Sequence, residues 1–256
     1  MKANYHTHSV YCGHAWGTAE DYVKVAIERG LDTLGFACHV PYPFNNGHDS
    51  GFRIRLEDHE KYVTEILDLR EKYADRINVL LGYEAEYYPL HFDDMLSQVR
   101  KYPVDYLILG QHKTDNEYDG VSNDIPAQTA QRVKEYADTL ITAVNTGLFT
   151  YIAHPDLLSY VGEDEIYLSE MKRVCECCLE TDTPLELNLL GLSDGRPYPK
   201  DFFFGLVGKM GCKVVVGCDA HEPERVAHPD ELIMADEFIR KHSLNVVEHV
   251  DIKKVV

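Results

Sequence analysis

Asn4-Tyr5-His6-Thr7-His8, then the segment 19–28, then Thr33-Leu34-Gly35-Phe36-Ala37-Cys38-His39 together decide the fold class. The outer two pieces are short, rich in apolar and aromatic residues, and read as strands, while the middle piece is an amphipathic helix. Thr18 with Asp21 three residues on forms a capping box ahead of that helix, and Gly30 supplies its C-terminal stop. Strand, helix and strand over residues 4–39 make a parallel βα unit, and both strands end on histidine. His6 and His8 close the first, with side chains on one face because strand periodicity is two, and His39 closes the second.

The unit recurs along the chain. Further strands are expected at 78–87, 106–112, 150–154, 185–189 and 213–218, and helices at 56–73, 92–101, 127–145, 164–181, 200–209 and 223–241. Within 56–73, Tyr62, Ile66, Leu69 and Tyr73 form one apolar stripe. Seven strand–helix units with short connections imply an α/β architecture, a distorted TIM-like (β/α)7 barrel, with a doubly wound open sheet as the rival. No Pro/Gly/Ser-rich linker, repeat or charge block interrupts the pattern, so residues 1–256 are expected to form a single domain. The tail 246–256 reads as a last strand or a packed terminus.

Composition narrows the partners. Forty-three acidic against 25 basic side chains give a formal net charge of -18, which argues against a nucleic-acid partner, since phosphate backbones are held by Lys and Arg. The longest apolar run, 202–208, falls far short of the ~20 residues that span a bilayer, so no membrane partner is expected. The N-terminus enters the first strand without an apolar leader, which makes the cytoplasm the expected compartment. Among the seven cysteines, Cys175, Cys177 and Cys178 fall on one helix and are expected to be buried packing residues rather than a redox or zinc motif.

Histidines and acids gather at the strand ends. After His6, His8 and His39 come Glu84 in Gly82-Tyr83-Glu84-Ala85-Glu86, His112, His154 in His154-Pro155-Asp156, and Asp219-Ala220-His221, with His14 in the first connecting loop. In a parallel barrel these ends converge on the C-terminal rim, the place of active sites in such folds. Seven imidazoles and two carboxylates suit zinc, iron or manganese. They exceed the needs of one tetrahedral ion and fit two or three open sites with a bridging carboxylate. His48, His59, His91, His228, His242 and His249 lack such placement and are expected at the surface or at helix caps.

The order His6-Thr7-His8, His14, His39, Gly-x-Glu84, His112, His154 and Asp219-Ala220-His221 resembles the polymerase-and-histidinol-phosphatase (PHP) superfamily over the whole chain. Within that superfamily it is similar to the single-domain bacterial histidinol-phosphate phosphatases. The resemblance implies up to three divalent ions. His6, His8, Glu84 and Asp219 would hold the first; Glu84 would bridge to a second held with His112 and His154; His14, His39 and His221 would hold the third. It also implies a phosphomonoesterase of histidine biosynthesis, converting L-histidinol phosphate to L-histidinol and phosphate by in-line attack of a metal-bridging hydroxide. Glu84, Asp219 and His221 are then the catalytic candidates, with Asp219 or His221 protonating the leaving group.

The family usually carries a basic residue shortly after His-Pro-Asp, where this chain has Ser159 and Tyr160. It usually has arginine after the Gly-Leu of the sixth loop, where this chain has Gly191-Leu192-Ser193. Arg196 is the expected substitute for gripping phosphate, with Arg53, Arg55 and Lys113 as further cations. Glu117, Asp115 and Glu86 are expected to face the ammonium and imidazole of the substrate. The same resemblance leaves two alternatives: a phosphoesterase for another small ester or a phosphodiester, and a non-catalytic PHP module.

Overall fold

The computed structural model describes residues 1–255. Among them, eight parallel strands follow one another in sequence order in one curled sheet. They are β1 (Ala3–Asn4), β2 (Thr33–Phe36), β3 (Asn78–Ala85), β4 (Tyr106–Leu109), β5 (Phe149–Ile152), β6 (Leu185–Asn188), β7 (Lys213–Gly217) and β8 (Asn245–Val246). The helices are α1 (Ala19–Glu28), α2 (His59–Lys72), α3 (Phe92–Val99), α4 (Ala130–Asn145), α5 (Asp164–Glu180), α6 (Leu189–Asp194), α7 (Asp201–Met210) and α8 (Pro229–His242). None is long and apolar enough to cross a membrane.

The sheet curls into a distorted TIM-like barrel. At the end where the strands finish, Thr7 bridges Ala220, the His8 N–H donates to the Ala220 carbonyl at 2.9 Å, and the Ala37 N–H donates to the Thr7 carbonyl at 2.8 Å. The continuation of β1 thus lies between those of β2 and β7, and seven strands close the rim. At the opposite end β7 pairs with β8 instead. The described tail is a packed terminus in which only Val246 belongs to a strand: beyond β8, Val247, Val250 and Ile252 cover the barrel interior formed by Tyr5, Leu80, Tyr106, Tyr151 and their neighbours.

The expected strand 4–8 stops early because Asn4 turns its side chain inward. Its Nδ2 donates to Thr7 Oγ1 at 2.7 Å, and its Oδ1 accepts the Cys218 N–H at 2.9 Å. That clasp ties β1 to β7 just below the histidines.

Several helices begin later than expected. Residues 56–58 form a 3-10 turn before α2, and Thr129 caps α4 by accepting the Arg132 N–H. The expected helix 223–241 divides into a 3-10 turn, Pro223–Arg225, and α8, because Pro229 holds His228 extended and itself opens the helix. The unexpected α6 is capped by Asn188, whose side chain accepts the Gly191 N–H, and by Gly195 in the left-handed region (φ 64°). α2 buries Tyr62, Val63, Ile66 and Leu69, the three aliphatic side chains each worth about 1.5–3 kcal/mol of transfer free energy. Cys175, Cys177 and Cys178 of α5 are buried in the core.

Candidate metal centre

All nine rim residues meet. His6 Nε2 lies 3.4 Å from both Glu84 Oε2 and Asp219 Oδ1, and His8 Nε2 lies 3.5 and 3.2 Å from the same two oxygens. The other oxygen of Glu84, Oε1, faces His154 Nε2 at 2.9 Å and His112 Nε2 at 3.5 Å. Glu84 therefore stands between two groups of nitrogens. His14 and His221 bring their Nε2 atoms to 2.9 Å of each other, and the His221 ring stacks on His8 at 4.2 Å. His39 turns Nδ1 to Glu84 Oε2 at 3.3 Å, with its ring 5.6 Å from that of His14, so it stands between the Glu84 groups and the His14–His221 pair.

Five of the seven rings are aimed by their other nitrogen. Nδ1 of His6 bonds Glu186 Oε1 (2.7 Å), that of His14 the Cys12 carbonyl (2.8 Å), that of His112 Glu86 Oε1 (3.0 Å), and that of His221 the Asp219 carbonyl (2.9 Å). His8 Nδ1 contacts Cys12 Sγ at 3.3 Å. A proton fixed on Nδ1 leaves the Nε2 lone pair for a ligand, the arrangement that orients metal-bound imidazoles. His6 Nε2 and His8 Nε2 are fully buried and lack a hydrogen-bond partner, a state that native proteins avoid unless an ion or water completes it.

The electrostatics favour cations. Burial alone would raise the Glu84 carboxyl, but His39, His112 and His6 hold it well below the usual carboxylate range. Asp219 is held low against the same burial by His6, His8 and His221. Burial, with His221 adding to it, takes His8 down to about 3, and burial also lowers His39 and His221, which favours the neutral form that binds metal. At His6 burial is overcome by Glu186, Asp219 and Glu84, and at His112 by Glu84 and Glu86, so both are raised. Donor atoms of His6/His8/Asp219, His6/Glu84/His154, His8/His39/Glu84 and His8/His14/His221 each lie within 4.8 Å of one another. The nitrogen-and-carboxylate donor set and the orphaned ring nitrogens fit divalent transition metals.

The backbone bends to deliver these groups. His154 and Asp219 both have positive φ, 30° and 49°, and non-glycine residues so placed store strain that tends to gather at functional sites. Glycines make room: a Cβ at Gly110 would collide with Glu84 Oε1, and one at Gly217 with Glu186 Oε1.

Glu186 and Asn188 were not anticipated from the sequence. Glu186 is fully buried, and besides His6 it accepts the His154 N–H (2.8 Å) and Asn188 Nδ2 (2.9 Å). Asn188 Nδ2 also reaches Asp219 Oδ2 at 3.1 Å. The signal was a carboxylate inside Leu185-Glu186-Leu187-Asn188, a strand with buried residues on both faces. His59 corrects another expectation: it is buried, with Nε2 2.6 Å from the Tyr83 hydroxyl.

Above the centre opens a cleft of about 780 Å³. Arg196 lines it and donates through Nη1 to the Tyr198 hydroxyl at 3.2 Å. Lys113 and Arg225 also line it, and Arg225 Nη2 donates to Ser193 Oγ at 2.7 Å, bringing a cation beside the serine. Arg53 and Glu117 do not line it: they pair with each other behind Phe52, and Glu86 pairs with Arg53 as well. Arg55 is exposed near Glu57.

Fold and site define a metal-binding α/β barrel. The PHP domain family pattern matches residues 4–189, and the chain belongs to the PHP domain family. A probable histidinol-phosphatase of Deinococcus radiodurans is 28% identical, covering 86% of this chain and 86% of the relative. One of Schizosaccharomyces pombe is 24% identical over 88% of this chain and 82% of the relative. Histidinol phosphate phosphatase of Lactococcus lactis, solved in complex with zinc, L-histidinol and phosphate, superposes with a TM-score of 0.74 at 21% identity, covering 98% of both chains.

Proposed function

We propose that the protein is a metal-dependent phosphomonoesterase acting on L-histidinol phosphate. The observation that carries the reading is the convergence of seven imidazoles and two carboxylates, all but the buried His6 lining a cleft whose wall holds Arg196, Arg225 and Lys113. The relatives' names support the substrate. His6, His8, Glu84 and Asp219 would hold one ion, Glu84, His112 and His154 a second, and His14, His39 and His221 a third. When bound, such ions supply Lewis acidity toward phosphoryl oxygens and lower the pKa of water.

The chain's own groups do the rest. Arg196 offers a guanidinium to the phosphoryl oxygens, with Tyr198 steadying it. Asp219, held ionised, accepts the proton of the attacking water and returns it to the leaving alkoxide, while Asn188 fixes its Oδ2. Glu86 and Glu117 are engaged by Arg53, so the ammonium and imidazole of the substrate fall to Asp124 and Glu222, which line the cleft. Phe52, Leu157 and Leu190 supply its apolar walls. The test compares kcat/KM on L-histidinol phosphate with that on sugar, amino-alcohol, nucleoside and aryl monophosphates and on a phosphodiester. Histidinol phosphate should rank first; a rank no better than the aryl phosphate refutes the substrate, and turnover of no monoester refutes the phosphatase.

A further inference from the structure

Arg53 lies in the segment 40–55 that follows β2, and its side chain is only 2% exposed. Nη2 forms an ion pair with Glu86 Oε2 at 2.7 Å without the alignment of a hydrogen bond, Nε donates to Glu117 Oε2, and Nη1 reaches the Val40 carbonyl at 3.4 Å. Tyr42, Phe52 and Tyr88 surround the guanidinium, with ring centroids 4.7–5.9 Å away. A guanidinium is stable in such a place only if its partners are fixed, since breaking a buried ion pair strands a charge. The partners lead outward in two directions. Glu117, in the excursion 113–124 after β4, also accepts from His48 Nε2 at 2.9 Å. Glu86, just past β3, accepts the His112 Nδ1 proton at 3.0 Å. One planar fork therefore joins the loops after β2 and β4 and, through Glu86, an imidazole of the metal centre. Phe52, next in the chain, carries the connection to the cleft wall, its ring 5.1 Å from His39 and 6.4 Å from His112.

We propose that Arg53 is a positioning residue: it clamps the loops 40–55 and 113–124 together and, through Glu86, holds His112 with Nε2 toward Glu84, which sets the affinity of that ion site. This rests on reading His112 as a ligand. Lysine cannot replace arginine here, because one ammonium lacks the separate Nε and Nη2 positions that face the two carboxylates.

The experiment uses the full chain and zinc, with Arg53→Lys, Glu86→Gln and Glu117→Gln. Zinc affinity is measured by competition with a chromophoric chelator, backbone hydrogen exchange is followed in 40–55 and 113–124, and kcat and KM are measured on an aryl phosphate. Glu86→Gln should weaken one zinc site by about 10–100-fold, the usual effect of losing the partner of a ligating histidine. Arg53→Lys should weaken the same site and speed exchange in both loops. Glu117→Gln should speed exchange and raise KM more than it lowers kcat. The two isosteric variants keep the proposal testable should Arg53→Lys fail to fold. Zinc affinity and loop exchange at wild-type levels in Arg53→Lys, or in both glutamine variants, would overturn the clamp while leaving the phosphatase reading standing. A wild-type protein that binds no zinc would overturn both.

Discussion

Glu186→Gln is the sharpest test of how the centre is held. The carboxylate has no solvent and takes three donors: His6 Nδ1 at 2.7 Å, the His154 N–H at 2.8 Å and Asn188 Nδ2 at 2.9 Å. Glutamine keeps the shape but only one acceptor oxygen. If that oxygen faces His6, the amide NH2 meets the His154 N–H; if it is turned over, the NH2 meets the His6 N–H. In the first arrangement a buried donor faces a donor, which costs about 1–3 kcal/mol; in the second His6 escapes that cost only by moving its proton to Nε2, which removes the lone pair that faces the carboxylates. That cost is a sizeable part of the ~5–15 kcal/mol that holds a typical domain together, yet not enough to abolish folding. The functional loss should be larger in proportion, about 10–100-fold in zinc affinity or turnover, because the His6 tautomer is no longer imposed. Urea unfolding without metal gives the first quantity and chelator competition gives the second. Gly217→Ala should reproduce part of the defect with Glu186 intact, since the new Cβ occupies the space of Oε1. Zinc affinity and kcat/KM within twofold of wild type in Glu186→Gln would refute this account.

Glu84→Ala and Asp219→Ala should each lower turnover by at least about 100-fold, since each removes both a metal-facing oxygen and a charge; steady-state assay of purified variants with intact circular dichroism checks this. Chelation should abolish turnover while leaving a cooperative thermal transition at lower temperature, because the barrel core lies below the rim; calorimetry with and without zinc reads it. His59 gives a pH prediction. Burial, with Lys101 adding to it, lowers its pKa to about 4 from the usual 6.5, so between those values the unfolded chain binds the extra proton. The stabilisation is complete above pH 6.5 and is lost as pH falls toward 4, about 2 kcal/mol by pH 5 at ~1.36 kcal/mol per unit. His59→Gln, which still offers the Tyr83 hydroxyl a partner, should flatten the fall in unfolding free energy between pH 7 and 5 by about that amount; parallel slopes would count against it.

The barrel was legible because hydrophobic periods of two and 3.6 alternate along the chain, and the nine rim residues because strand ends in a parallel barrel share one face. The chemistry of the donors was equally visible, since histidine and carboxylate at those ends have few other uses in such numbers. What escaped the sequence depends on distant partners. Glu186 reads as an ordinary polar position until its neighbour across the barrel, 180 residues away, is known to be His6 Nδ1. Arg53 and Glu117, 64 residues apart, each look like a loop charge at the rim until the fold pairs them. His59 looked like a surface residue because the 3-10 turn before α2, which sets its direction inward, left no mark in the apolar pattern.

The interior explains why the carboxylates stand where they do. Low in the barrel, Gly35 and Gly82 leave no side chain, and the Tyr106 ring fills that space with its hydroxyl bonded to the Tyr5 carbonyl at 2.7 Å. The tail residues Val247, Val250 and Ile252 cover this apolar layer. One layer higher the same pairing of a glycine with a large inward neighbour recurs with a change of chemistry: Gly110 admits Glu84 and Gly217 admits Glu186. Solvent is excluded from below by tyrosines and from the sides by the sheet, so each carboxylate must find donors at the rim, and the imidazoles supply them. Burial would raise Glu84 and Asp219, and only the surrounding rings keep them ionised. The layer that makes the carboxylates costly to bury is thus the same one that makes them strong attractors of cations, and a chain with a net charge of -18 can present a local site fit for a phosphate once divalent ions reverse the sign there.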